Sequence, residues 1–446
     1  MKTMKKLLST ILLISIFTLS GCFKEKENEV QNYTVISTQD LEKNIPNSNW
    51  VVVDTRENDA YNGWSLDGIE KGGHIPLALD FSSSWLNTKT ERLDSILTTK
   101  GITQNKNIVL YDYNNKDAKK VADYLNKKGY KNIYLYNISD WINSGKTLES
   151  YKNYQMLVPP YWVKNLIDGK NGINNYKIFE VSWGDEKASP DYLKGHIPGA
   201  IHVNTDHIEE GPLWNRKSDE ELIELAKNNG ITIDTTIVVY GADSMPASRF
   251  AVILKYLGVK DVRLLNGGTQ KWINAGYPVE TTVNKATPVD NFGTDKPLNR
   301  DYIIDLEGAR EILADKTGSR LVDNRAWDEF IGKTSGYDYI EPKGRPAGAV
   351  WGHAGTNSSN LDDYRNPDNT MRNAYEVLQM WKEWDITPDK RLSFYCGTGW
   401  RASEVLFYAD VMGIENISLY DGGWNEWSGN TSNEPNPIET GIPAGK

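Results

Sequence analysis

The chain has 446 residues, more than one ordinary core accommodates, so two to four domains are expected. Lys and Arg number 50 against 60 Asp and Glu, a formal net charge of -10, which excludes a general nucleic-acid binder because phosphate backbones are held by basic surfaces. Any anionic substrate must therefore be gripped by a local arrangement of donors.

The chain opens with a basic stretch over 1–6, an apolar run over 7–19 too short to span a bilayer as a permanent helix, and Leu19-Ser20-Gly21-Cys22, small residues of the kind that precede cleavage. This predicts a signal peptide over 1–21. The tetrad resembles a bacterial lipobox, which implies that Cys22 is the lipidation site and the first mature residue, and that the protein is extracytoplasmic and lipid-anchored to the bacterial cell membrane. A plain signal peptide or membrane anchor is the alternative. The charged stretch over 22–33 is read as a tether. With two cysteines in all, a lipidated Cys22 leaves Cys396 as the one free thiol, so no disulfide framework and no multi-cysteine metal site can form.

From residue 34 onward one order of elements recurs three times: strand, charged turn, Gly-containing loop, helix, second apolar strand, loop, helix, and a strand closed by Trp and Gly. The first copy (34–150) reads VVVDTR at 51–56, GGHIP at 72–76, NIVLYD at 107–112 and WINSG at 141–145. The second (158–281) reads KIFEVS at 177–182, GHIPGAIHV at 195–203, TIVVYG at 236–241 and WINAGYPVE at 272–280. The third (300–432) reads RLVDNR at 320–325, GRPAGAV at 344–350, RLSFYC at 391–396 and ISLYDGGWNEW at 417–427. Short β-branched runs alternating with helical stretches predict parallel sheets covered on both faces, an α/β fold of three tandem domains. Linkers are expected over 149–162, where Pro159 and Pro160 interrupt any helix, and over 281–300. The third copy's insertion, 352–373, is expected to be a surface loop that caps the site.

In such sheets ligands bind where strands end and helices begin, and Cys396 stands there. Gly397 and Gly399 let the chain curl so that successive N–H groups point inward, forming an anion nest. A helix beginning after Arg401 adds its positive end, and the Arg401 guanidinium adds a cation. All three effects favour a thiolate, the nucleophilic form of cysteine. Thr398 either donates its hydroxyl to bound oxyanions or only turns the loop; Trp400 is pocket wall or core packing. Trp141, Trp272 and Trp427 are expected to pack the last helix of each copy.

The ordered set of Asp-x-Arg, Gly-His-Ile-Pro-Gly-Ala, a cysteine loop entering a helix, and Gly-Gly-x-x-x-Trp resembles the rhodanese (sulfurtransferase) family, repeated three times over nearly all of the chain after the tether. The resemblance implies that Cys396 opens the six-residue loop ending at Arg401 and is the catalytic residue. Gly397, Thr398, Gly399, Trp400 and Arg401 would bind substrate; Arg325 of the charged turn either reaches the loop or substrate or forms a structural salt bridge beside Asp323, and Arg345, which replaces the histidine found at His74 and His196, either adds positive charge beside the site or only changes the turn. Those two histidines are read as loop hydrogen-bonders. Asp112 and Gly241 align with Cys396, which implies two inactive copies. The implied activity is transfer of sulfane sulfur from a small anionic donor, thiosulfate, through a Cys396 persulfide to cyanide or a thiol, with no cofactor and no metal. Other readings are a 3-mercaptopyruvate sulfurtransferase, a persulfide carrier or surface binding protein without turnover, and a phosphatase or arsenate reductase of the same fold. The last is disfavoured because its loop places arginine one residue later, at the position of Ala402.

Overall fold

Each of the three copies builds a five-stranded, wholly parallel sheet with one and the same strand order: counted along the chain, first, fifth, fourth, second, third. The computed structural model describes residues 32–446 except 67, 68, 70, 89–91 and 430–434; the expected signal peptide (1–21), Cys22 and the tether up to residue 31 lie outside the described residues. No helix among the described residues is long and apolar enough to cross a membrane.

The central strands are the β-branched runs, Trp50–Asp54, Thr236–Tyr240 and Ser319–Asp323 among them, and they are buried on both faces as crossover topology requires. Each sheet's first strand is a two-residue edge: Thr34–Val35, Leu157–Val158 and Ile303–Ile304. The second of these lies within the expected linker, which also sends Tyr151 into the core and uses Pro160 to open the helix Pro160–Ile167. Strand register fixes the correspondence between copies. Asp54 pairs with Tyr111, Glu180 with Tyr240 and Asp323 with Tyr395, so the next residues, Asp112, Gly241 and Cys396, occupy one structural position.

Residues 34–446 form one compact unit. Its centre is a helix pair, Ser244–Leu257 of the second copy against Trp400–Met412 of the third. Both helices are buried nearly all round, with no broad solvent face. The first copy is fastened by buried polar links instead: Lys100 lies 2.7 Å from Asp80 and 2.5 Å from Glu376 of the third copy, and Asn266 of the second copy donates to Asn58 and Asp59. The 352–373 insertion departs from a simple surface loop, because Leu361, Tyr364 and Met371 are buried in the main core and Arg365 joins Glu404 to Asp243 of the second copy.

Trp141, Trp272 and Trp427 are all buried, and each indole N–H donates to a carbonyl further along, at Thr147, Pro278 and Pro437 respectively, which closes the end of each copy.

Candidate active site

The third sheet delivers Cys396 at the end of strand Arg391–Tyr395, directly before helix Trp400–Met412. Gly399, with φ of 103°, makes the turn into the helix, and its N–H donates to the Cys396 sulfur at 3.2 Å. The outer side of the loop is secured from the neighbouring segment: the N–H of Trp424 donates to the Cys396 carbonyl at 2.8 Å and that of Asn425 to the Gly397 carbonyl at 3.0 Å. With those carbonyls occupied outside, the loop's amides are left for its interior. Gly423 explains the Gly-Gly signature, since a Cβ there would stand 2.7 Å from both carbonyl oxygens. The second copy keeps the same device, Thr269 N–H donating to the Gly241 carbonyl at 3.0 Å.

Arg401 is not the free cation expected from sequence. It is buried and bidentate to Glu329, at 2.8 and 2.9 Å, with further bonds to the Tyr337 hydroxyl and the Asn357 carbonyl. Burial pushes the Glu329 carboxyl up, but Arg401 outweighs it and holds the group below its ordinary range. A second guanidinium comes from the second copy. Arg249, fully buried in the central helix, forms close ion pairs with Glu209 (3.3 Å) and Asp421 (2.6 Å). Its Nη1 is the atom nearest to where a Gly399 Cβ would lie, 2.9 Å away, so a guanidinium presses on the loop from behind. Tyr337 lies closer still against Gly397.

Beside the loop is a cleft of about 370 Å³ between the second and third copies. Thr398, Trp400 and Arg401 line it from the loop, Tyr337 and Tyr339 from the third copy, and Trp183, Glu209, Trp214 and Asp243 from the second. Thr398 shares a hydrogen bond with the Tyr339 hydroxyl, and Trp400 is cleft wall, its indole N–H donating to Glu209 at 2.7 Å. Cys396 itself is 1 % exposed and set behind this lining. Burial drives Glu209 up to about 7, with Arg249 and Trp400 restraining the rise.

Arg325 and Arg345, for which a place at the substrate was one of two readings, are not brought to the cleft. Arg325 is fully buried and grips its own turn: Nε and Nη2 hold both oxygens of Asp323, and Nη2 also donates to the Gly344 carbonyl. Arg56 repeats this brace in the first copy with Asp54 and Gly73. Arg345 takes the slot of His74 and His196. Those imidazoles stack on Tyr61 and Tyr192, 3.8 Å between ring centres in each case, and hydrogen-bond the carbonyl of the same tyrosine. The Arg345 guanidinium lies over Phe330 and donates to the Phe330 carbonyl in the same way, with Glu439 as its ionic partner. A flat cation substitutes for a flat ring, which is a structural role.

Missed by sequence were Glu209, Arg249, Glu329, Tyr337 and Tyr339. One signal was available for Arg249: an arginine inside the apolar helical run ASRFAVIL must be buried and paired. Among the described residues no group of three or more His, Cys, Asp or Glu side chains could hold a metal ion.

Three parallel sheets of one topology, one of them presenting a cysteine whose sulfur accepts a loop N–H at a helix start, define a sulfurtransferase of the rhodanese type. The model of the rhodanese-like domain matches residues 37–141, 160–275 and 306–430, and the chain belongs to this family. It is 43% identical to the thiosulfate sulfurtransferase YnjE of Escherichia coli strain K12 over 403 residues, covering 89% of this chain and 90% of that one. The sulfur carrier protein TtuD of Thermus thermophilus is 32% identical over 62% of this chain and 95% of its own. Among solved structures, that of an EanB variant in complex with ergothioneine is 36% identical, with a TM-score of 0.87 over 92% of this chain and all of that chain.

Proposed function

We propose that this chain is a thiosulfate sulfurtransferase working through Cys396. The observation that carries the reading is the loop itself: one sulfur, accepting the Gly399 N–H and standing at the positive end of a 13-residue helix, in a loop whose carbonyls are tied back elsewhere. The Cys396 thiolate attacks the outer sulfur of thiosulfate; the new S–S bond forms as the donor's S–S bond breaks, its electron pair leaving on sulfite. The persulfide keeps one negative charge. Cyanide or a thiolate then bonds the outer sulfur and leaves as thiocyanate or a new persulfide, returning the Cys396 thiolate. Inward amides stabilise each anion, and ping-pong kinetics follow.

YnjE's name supports thiosulfate as donor. The Cys-Gly-Thr-Gly start of the loop keeps 3-mercaptopyruvate as the rival donor, and TtuD's name keeps a carrier role as the rival to turnover. A phosphatase reading is weaker still, since the loop is one residue short and its arginine is already neutralised by Glu329. A second acceptor class has a specific observation in its favour. The cleft wall combines Trp183, Trp214, Tyr337, Tyr339 and Trp400 with the carboxyls of Glu209 and Asp243, a lining suited to an organic cation, and the similar EanB structure holds ergothioneine. The N-terminal segment supports an extracytoplasmic protein held on the bacterial membrane by lipid at Cys22.

Intact-mass measurement after incubation with thiosulfate tests the central step. The parent should gain one sulfur atom and Cys396→Ser none; cyanide should remove it with thiocyanate released. A parent that gains nothing, or a Ser variant that gains as much, refutes the assignment.

A further inference from the structure

We infer that the cysteine-free second domain supplies the cleft with a proton-gated carboxyl, Glu209, which admits small anions while it holds its proton and repels them once it has lost it. This deepens the sulfurtransferase reading and rests on it. Among the carboxyls lining the cleft, Glu209 is the one bonded to the cysteine loop: it is 4 % exposed, and its Oε1 accepts the indole N–H of Trp400 at 2.7 Å. It is carried on a short hairpin, Glu209–Glu210 against Asn215–Arg216, that belongs to the second copy.

The groups facing Glu209 can be taken element by element. From the central helix of its own copy comes Arg249, shared between Glu209 and Asp421. Asp421 stands at the end of strand Ile417–Tyr420 and adds a like charge. From the loop comes the neutral donor Trp400, and across the cleft Tyr339. Arg216, opposite Glu209 in the hairpin, has its guanidinium committed to Asp219 and Tyr256. Arg401 is balanced by Glu329, and Asp243 shares Arg365 with Glu404. With Glu209 protonated, Arg249 and Asp421 cancel. With Glu209 ionised, the group carries a net negative charge one hydrogen bond from the loop, inside a cleft of low polarisability where a like charge acts strongly. Burial, the largest cause, brings that change to about pH 7, and ionisation of the carboxyl proceeds as pH rises.

The test compares alkylation of Cys396 in the full chain by iodoacetate, an anion, and iodoacetamide, its neutral analogue, each followed by peptide mass. Their rate ratio cancels the ionisation of the thiol itself and leaves the field met by an approaching anion. In the parent the ratio should fall roughly five- to tenfold between pH 6 and pH 8. Glu209→Gln should hold the ratio flat within about twofold at its low-pH level. Trp400→Phe, which removes a donor that favours the ionised carboxyl, should move the fall to higher pH, and it decides the question if Glu209→Gln does not fold. A parent ratio independent of pH, an equal fall in Glu209→Gln, or an unmoved fall in Trp400→Phe overturns the gate. If neither reagent reaches Cys396, gate and sulfur chemistry fall together. A pH-gated ratio in a protein that takes no sulfur from thiosulfate would uphold the gate and refute the donor alone.

Discussion

Replacing Glu329 by glutamine removes the charge that neutralises Arg401, and its two consequences have opposite signs. Glu329 and Arg401 are each 1 % exposed and meet through two parallel hydrogen bonds of 2.8 and 2.9 Å. Losing one partner of such a pair leaves a buried charge uncompensated, a loss of about 3–5 kcal/mol. The glutamine oxygen still accepts one bond from the guanidinium, as do the Tyr337 hydroxyl and the Asn357 carbonyl, so a loss near the lower end, about 3 kcal/mol, is expected. In urea this corresponds to a midpoint lowered by roughly 0.5 M, because the denaturant slope of a chain of this size exceeds the small-protein range. The second consequence is a gain: with its counter-charge gone, Arg401 favours an anion at Cys396 more strongly, and alkylation by neutral iodoacetamide at pH 6 should quicken by roughly tenfold. Urea titration followed by tryptophan fluorescence reads the first, and timed alkylation with mass detection the second. A variant as stable as the parent whose cysteine reacts no faster would refute the account of Arg401 as a cation held in check by Glu329.

Lys100→Met should cost about 3–5 kcal/mol, because Asp80 and Glu376 are then left facing each other in the interface between the first and third copies, and hydrogen exchange should rise at that interface ahead of the cores. The sign against pH follows from Asp80: burial raises its carboxyl, Lys100 and the asparagines outweigh that, and the net position is below the ordinary value, so the parent's advantage over the variant is present near neutrality and is lost as pH falls below about 4. Arg345→His restores the residue of the other two copies and should change stability by less than about 1 kcal/mol and leave sulfur loading from thiosulfate intact; a loss of loading would mean that Arg345 touches substrate after all.

The threefold repeat, the central strands and the cysteine loop were legible in the sequence because each rests on local pattern: β-branched runs, a glycine on either side of Thr398, a Gly-Gly pair before tryptophan. The salt-bridge reading of Arg325 holds, and its placing at the substrate, with that of Arg345, fails for the complementary reason. A positive residue near an expected site reads as a substrate ligand, whereas Arg325 is consumed two residues away by Asp323, and Arg345 by an aromatic face already present in its copy. Glu209 and Arg249 lie outside the third copy altogether and meet Trp400 and Gly399 through the packing of helix Ser244–Leu257 on helix Trp400–Met412, a contact that no periodicity within one copy encodes. The first copy's fastening through Lys100, Asp80 and Glu376 escaped for the same cause: Glu376 lies 276 residues along the chain from Lys100.

The first copy contains its own demonstration of what the loop does. Asp112 stands where Cys396 stands, fully buried, and its carboxylate accepts backbone N–H groups from Asn114 at 2.9 Å, Asn115, Asp117 at 2.7 Å and Ala118 at 3.0 Å. The strand end and helix start thus still form an anion nest, filled from within by a side chain. A carboxylate fixed to the nest can neither leave nor exchange, so the copy gains a permanent structural anchor and loses any use for an incoming anion. Cysteine at the same position puts an ionisable sulfur there while leaving amides over for whatever that sulfur binds. The second copy goes the other way: Gly241 brings no side chain to the position, and the helix that follows supplies Arg249 to the neighbour's loop instead. One backbone device therefore carries a different residue at the end of the central strand in each copy: a carboxylate that anchors the loop in the first, a glycine without a side chain in the second, and in the third a sulfur that accepts a loop N–H.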